Sequence, residues 1–171
     1  MFKINIDYMK LIITLFISCI FFYGCNNEKA KNEELMNAEV NKLNRLEFEH
    51  LLSKVANGWN DGDAQAAANC FSENAVYIEP PNQQLYQGRS ELYEFFGGSE
   101  GRTNPMKMTW HYLTFDGEKQ IGTGEYTFAY KGRLSHGIVI VQISKGKIRR
   151  WREYQYRSKT EWVDFIGKSA F

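Results

Sequence analysis

The chain has 171 residues and a formal net charge of +1, enough for one domain and a leader, and so even a balance gives no electrostatic reason to expect nucleic acid. Aromatic residues make up 15% of it, and a chain of this size can bury a sizeable core and still enclose a cavity. Of the three cysteines, Cys19 and Cys25 precede the body and Cys70 alone falls within it, which excludes an internal disulfide framework after processing and any cysteine-based zinc spacing.

Met9-Lys10 opens a short positive region ahead of an uninterrupted apolar run, Leu11 to Tyr23, which ends at Gly24-Cys25. The run is short for a membrane span. A small residue followed by cysteine resembles the cleavage site of a bacterial lipoprotein signal peptide. On that reading residues 1–24 are the signal peptide and Cys25 is the lipid-attachment residue, which anchors the protein to a membrane of the bacterial cell envelope. The competing reading is a plain secreted protein or an uncleaved helix. Residues 25–44 are polar, charged and without aromatics, as suits a tether, and the folded domain is expected over 45–171.

From Leu46 the apolar spacing Leu46, Phe48, Leu51, Leu52, Val55, Trp59 follows a helical stripe that stops at Asn60-Asp61-Gly62. Asp63 then caps a short alanine-rich helix with Ala66, Ala67, Cys70 and Phe71 on its packing face. Ala75 to Glu79 alternates as a strand closed by Pro80-Pro81, Leu85-Tyr86 forms a brief second one, and Ser90 caps a helix through Phe96. Asp116-Gly117, Lys131-Gly132 and Lys145-Gly146 sit between runs rich in β-branched and aromatic residues, so Met106 to Ser158 reads as an antiparallel meander with two-residue turns. That register pairs Phe115 with Glu118, Tyr130 with Arg133 and Ser144 with Lys147. It puts Met108, Trp110, Tyr112, Thr123, Glu125, Thr127, His136, Ile138, Ile140, Trp151, Glu153 and Gln155 on one face, with Glu125, Ile138 and Glu153 in one cross-strand row. Ser158 and Glu161 are spaced as a capping box before a last helix containing Trp162, Phe165 and Ile166, expected to close the open mouth of the sheet.

The order is α+β, helices gathered on one side of an antiparallel sheet. Gly58-Trp59-Asn60-Asp61-Gly62-Asp63, Phe71-Ser72-Glu73-Asn74-Ala75-Val76-Tyr77, Gln87-Gly88-Arg89 and Gly146-Lys147-Ile148-Arg149-Arg150-Trp151-Arg152-Glu153-Tyr154 resemble the SnoaL-like branch of the nuclear transport factor 2-like superfamily. The resemblance spans roughly Leu46 to Tyr156 and implies a cone: a curved antiparallel sheet with N-terminal helices packed over a cavity. It further implies pocket positions at Tyr77, Glu79 and Glu153. Glu125 and Thr127 match the places where limonene-type epoxide hydrolases carry an arginine and an aspartate, so the water-activating triad of those enzymes is missing. The family includes isomerases, hydratases and non-catalytic binding domains, and fold alone does not choose among them.

The chemistry then rests on carboxylates among aromatics. Glu125 and Glu153, set among Trp110, Tyr112 and Trp151, would lose solvation and rise in pKa toward the range useful for proton transfer, provided the meander register does not slip by a bulge and turn them to solvent. Tyr77 or His136 would donate to a developing oxyanion, and Glu79 lies in the pocket or on its rim. Trp59, Trp110, Tyr112, Thr127, Ile138 and Trp151 either contact a small, largely apolar molecule or fill the core. Arg149, Arg150 and Arg152 read as a solvated edge. No metal-ligand or cofactor motif is present. Two functional classes stay open: a cofactor-free isomerase or hydratase, and a non-catalytic binding module that forms a homodimer through Tyr126, Phe128, Tyr130, Tyr154 and Tyr156 on the outer sheet face.

Overall fold

A capping box starts the first helix, α1 (Arg45–Asp61): the Asn44 side chain accepts from the Glu47 N–H at 3.0 Å, and the Glu47 carboxylate accepts from the Asn44 N–H at 2.8 Å. The computed structural model describes residues 42–102, 104 and 106–166, all within the unit Lys42–Phe171. The expected signal peptide, Cys25 and most of the tether lie outside the described residues. Among those residues no helix is long and apolar enough to cross a membrane. Phe48, Leu51, Leu52, Val55 and Trp59 form the buried stripe of α1, which ends at Gly62 with φ 73°. Asp63 caps α2 (Ala64–Ala68), accepting from the Ala66 N–H at 2.8 Å. The buried side of α2 is Ala64, Ala67 and Ala68; Ala66, expected there, is exposed.

Strand β1 (Phe71–Glu79) begins four residues earlier than its alternation predicts, and a 3-10 turn at Pro80–Asn82 leads into β2 (Gln84–Gln87). Helix α3 (Gly88–Phe96) follows and contains Ser90, which therefore does not cap it. The meander is β3 (Met106–Asp116), β4 (Ile121–Tyr130), β5 (Arg133–Ser144) and β6 (Lys147–Ser158). The six strands run in the order β2-β1-β6-β5-β4-β3, antiparallel throughout except for the parallel pair β1–β6. Phe48 of α1 stacks on Phe115 with ring centroids 4.4 Å apart, and Trp59 meets Phe96, Phe128 and Trp151, so the helices cover one concave face.

Two of the three turns have the expected length. Tyr130 pairs with Arg133 and Ser144 with Lys147, and both central residues of each turn have positive φ (Lys131 51°, Gly132 69°; Lys145 51°, Gly146 70°). The first turn is longer: Asp116 pairs with Ile121, and the Asp116 carboxylate accepts from the N–H groups of Glu118 and Lys119 at 3.0 Å, a side-chain turn that a two-residue reading omits. Two register shifts matter more. One lies between Trp110 and Tyr112 on β3. The other lies where Gln142 pairs with Arg150 but Ile143 pairs with Ile148, leaving Arg149 as the extra residue. Beyond that bulge Val139, not Ile138, faces Glu153, and Ile138 faces Tyr154. The parity of β6 against β5 is thereby reversed.

Candidate functional site

A cavity of about 310 Å³ lies on the concave face. Its wall is aromatic and its polar groups are few: Trp59 comes from α1, Tyr77 and Glu79 from β1, Phe95 from α3, Tyr126, Phe128 and Tyr130 from β4, and Glu153 and Gln155 from β6. Alternation brings these side chains to one surface, because Tyr77 and Glu79 are two apart on β1, as are Glu153 and Gln155 on β6. The parallel pairing of Tyr77 with Trp151 sets the two strands in step, so Glu79 and Glu153 come to the same end of the cavity.

Glu153 is 3% exposed and is held by three neutral donors. Its Oε1 accepts from the Tyr77 hydroxyl, and its Oε2 accepts from the Tyr126 hydroxyl at 3.1 Å and the Trp151 indole N–H at 2.9 Å. Burial pushes the Glu153 carboxyl up to about 7, the hydrogen bonds from Tyr77, Trp151 and Tyr126 oppose that rise, and neighbouring Glu79 adds to it. The two tyrosine hydroxyls are raised above their ordinary value, by burial first and by the adjacent Glu153 second. They therefore stay protonated and keep donating. Three bonds leave one lone pair of Oε1 unused, on a carboxylate that borders the cavity. Gly137 makes this possible: a Cβ there would lie 2.5 Å from the Tyr126 ring carbon and hydroxyl, so only glycine lets that ring cross to Glu153.

Glu79, 2% exposed, is the second buried carboxylate. It accepts from the Asn82 side-chain amide and from Gln155 Nε2 at 2.7 Å. Three side-chain atoms of cavity residues are buried without a hydrogen-bond partner: Trp59 Nε1, Gln84 Oε1 and Gln155 Oε1. Arg102 borders the opening with its guanidinium donating to the Phe96 carbonyl at 3.1 Å and to the Phe95 carbonyl, and lying over the Phe95 and Tyr130 rings. Among the described residues no group of three or more His, Cys, Asp or Glu is placed to hold a metal ion.

The expected site divides between the two faces of the sheet. Tyr77, Glu79, Glu153 and Trp59 border the cavity. Trp151 is fully buried beneath it, stacked on Tyr77 at 5.9 Å, and Trp110 is a core residue whose indole donates to the Leu52 carbonyl at 3.0 Å. Glu125 and Ile138 pair with each other on the opposite face from Glu153, because the bulge at Arg149 turns β6 over relative to β5. Ile138 is 44% exposed there, and Tyr112, carried outward by the β3 bulge to face Glu125, is 46% exposed. Thr127 and His136 belong to that outer face as well, where Thr127 meets His111, and His136 packs against Tyr156 and Trp162.

The same reversal relocates two other expected features. The last helix, α4 (Trp162–Ile166), does not close the cavity: Trp162 stacks on His111 at 4.1 Å and meets His136 edge-on at 5.5 Å, on the outer face of the sheet. Tyr126, Phe128 and Tyr130, expected on the outer face, line the cavity instead. Tyr126 is the functional side chain that sequence reasoning placed wrongly. Its only signal was the glycine at 137, its cross-strand partner on β5, which leaves the ring room on the concave side.

No curated protein matches the chain. Several solved structures share the fold: a candidate ketosteroid isomerase from Kribbella flavida (16% identity, TM-score 0.57, 67% of this chain and 82% of the other), an NTF-2 like protein of unknown function from Burkholderia xenovorans (20%, 0.54, 73% and 94%), and an LEH-like epoxide hydrolase from M. tuberculosis (16%, 0.55, 65% and 84%). At these identities the likeness establishes the α+β cone with its curved sheet, and nothing about chemistry. The model of the SnoaL-like domain matches residues 52–151, more than half of the chain and all the cavity-lining residues except Glu153 and Gln155, and the chain belongs to the SnoaL-like family.

Proposed function

We propose that this protein is an envelope lipoprotein whose cavity takes a small, largely apolar carbonyl compound, and that Glu153 moves a proton on it in a cofactor-free isomerisation or hydration. The observation that carries this reading is the setting of Glu153: a buried carboxylate on the cavity wall among aromatic side chains, with its titration pushed up to about 7 and one oxygen lone pair unused. A base of that strength is half-charged at neutral pH, the condition that favours general acid and base work. As Glu153 takes up a proton it releases its claim on the Tyr77 and Tyr126 hydroxyls. Either is then available to a developing oxyanion, and Trp59, a buried donor with no partner, supplies a further N–H. Glu79 keeps company with neutral amides and serves to hold the substrate rather than to react.

The test is proton exchange. The full chain is incubated in deuterated water with carbonyl compounds bearing acidic α C–H groups, and incorporation is followed by NMR. Catalysed exchange is expected in the parent and a loss of about 100-fold or more in Glu153→Gln. Equal exchange in both proteins would remove Glu153 from the mechanism. The anchor is tested separately: a palmitate analogue should label the parent and not Cys25→Ala.

A second reading is favoured by the outer face. Ile138, Tyr154 and Tyr156 are 44%, 42% and 51% exposed on adjacent strands, an apolar surface suited to a second copy of the chain. This reading makes the protein a dimeric binding module, and a parent that binds carbonyl compounds without exchanging their protons would favour it.

A further inference from the structure

Two carboxylates and six aromatic rings, all groups that attract positive charge, border the cavity. Every group that hydrogen-bonds the carboxylates is neutral: Tyr77, Tyr126 and Trp151 at Glu153, Asn82 and Gln155 at Glu79. Among the described residues neither carboxylate takes part in an ion pair. Arg102 and Arg133 also border the cavity, but neither forms an ion pair with Glu79 or Glu153. The Arg102 guanidinium donates to the backbone carbonyls of Phe95 and Phe96 and lies over two rings, while Arg133 sits exposed at the rim. A carboxylate removed from water without a cationic partner is costly unless something positive completes it.

Gln155 sharpens the point. A carboxylate accepts and does not donate, so the bond from Gln155 Nε2 to Glu79 fixes which way the amide is turned. Its Oε1 is then a buried acceptor with no partner, and Gln84 Oε1 on the same cavity is another. Buried acceptors are ordinarily satisfied, so a donor is missing at this end of the cavity. The remaining wall is made of six aromatic rings, Trp59, Tyr77, Phe95, Tyr126, Phe128 and Tyr130, whose faces draw cations and whose bodies accept apolar groups.

We infer that the molecule bound here is a small organic cation, a protonated amine on an apolar frame, whose ammonium N–H groups reach Glu79 and the free oxygens of Gln155 and Gln84. The inference rests on the proposed use of this cavity and adds the substrate class to it. The ammonium end is held at Glu79, and the reacting C–H lies toward Glu153. The two buried carboxylates then have separate duties, one electrostatic and one in proton transfer.

Two probes of nearly equal shape separate charge from bulk. The full chain is titrated at about pH 8 with benzylammonium and with benzyl alcohol, following tryptophan fluorescence from Trp59 and Trp151, which border or underlie the cavity. Benzylammonium is expected to bind about tenfold or more tightly than the alcohol, a preference that Glu79→Gln reduces to about threefold or less. Gln155→Leu gives the same comparison without touching a carboxylate, and it decides the matter if Glu79→Gln fails to fold. Glu125→Gln removes one negative charge from the outer face and should leave the preference intact. Equal binding of the two probes, or a preference that survives Glu79→Gln, overturns the cation assignment. Proton exchange that persists on neutral carbonyl compounds would then show that the proton-transfer reading stands without it, whereas a cavity that takes neither probe and a chain that exchanges no protons on carbonyl compounds overturn both.

Discussion

The two faces of strands β4 to β6 carry the same kinds of residue and do opposite things with them. On the concave side Glu153 is sealed by Tyr77, Tyr126 and Trp151, and burial moves its titration to about 7. On the convex side Glu125 is half-buried beside Ile138 and Tyr112, both of them close to half exposed. Residue type does not separate the two glutamates, since each sits on a strand rich in aromatics. The parity of the strand does, and one extra residue in β6 decides it.

The comparison is broken most severely by removing the residue that ties the concave face together. Trp151 is fully buried, touches Trp59, Phe71, Tyr77 and Trp110, and donates to Glu153. Trp151→Ala should cost about 3–5 kcal/mol in chemical denaturation, through the cavity it opens and the hydrogen bond it deletes. A cost under about 1 kcal/mol would mean that the concave face is not the packed centre of the fold.

The next effect comes from Glu153 itself. Its carboxyl titrates near 7 in the folded protein and at the ordinary 4.5 when exposed. Between those values the folded state binds a proton that the unfolded state has lost. The stabilisation is therefore complete below about pH 4.5 and disappears as pH rises through about 7, a fall of about 3 kcal/mol in unfolding free energy from this group. Glu153→Gln should flatten that part of the profile, measured by urea denaturation at several pH values. An unchanged slope in the variant would show that other groups produce it.

How much of this was open to sequence reading follows the same division. Helix α1 was legible because its stripe, its stop at Asn60-Asp61-Gly62 and its aromatic anchor Trp59 are all local signals. The Lys-Gly turns were legible because positive φ has a residue signature. The four-residue turn after Asp116 was not, since the carboxylate that stabilises it looks the same as the first half of an Asp-Gly hairpin. The bulges at His111 and Arg149 left no mark at all: neither is glycine, and each is defined by which partner it fails to pair. Tyr77, Glu79 and Glu153 were placed on the cavity because the strands that carry them could be phased from the family resemblance, independently of the hairpins. Tyr112, His136 and Ile138 were phased through the hairpins alone, and a single-residue error there carries them to the far face; for Glu125 and Thr127 the resemblance to epoxide-hydrolase positions agreed with the hairpin register, and the structure places both on the outer face.

The smallest effect is the one that tests this division most directly. If the faces are as independent as the pairing of Ile138 with Tyr154 and of Val139 with Glu153 requires, Glu125 shares no hydrogen-bond partner with Glu153 and is shielded from it by the sheet. Glu125→Gln should then change unfolding free energy by no more than about 0.5 kcal/mol, as for a surface change that breaks no buried network. Combined with Glu153→Gln it should be additive to within about 0.5 kcal/mol, and the exchange activity assigned to Glu153 should be unaffected. A coupling of 1 kcal/mol or more between the two glutamates would require them to meet through a common partner. The bulge at Arg149 would then not separate them in solution, and the register without it, with Glu125, Ile138 and Glu153 in one row, would describe the working protein better.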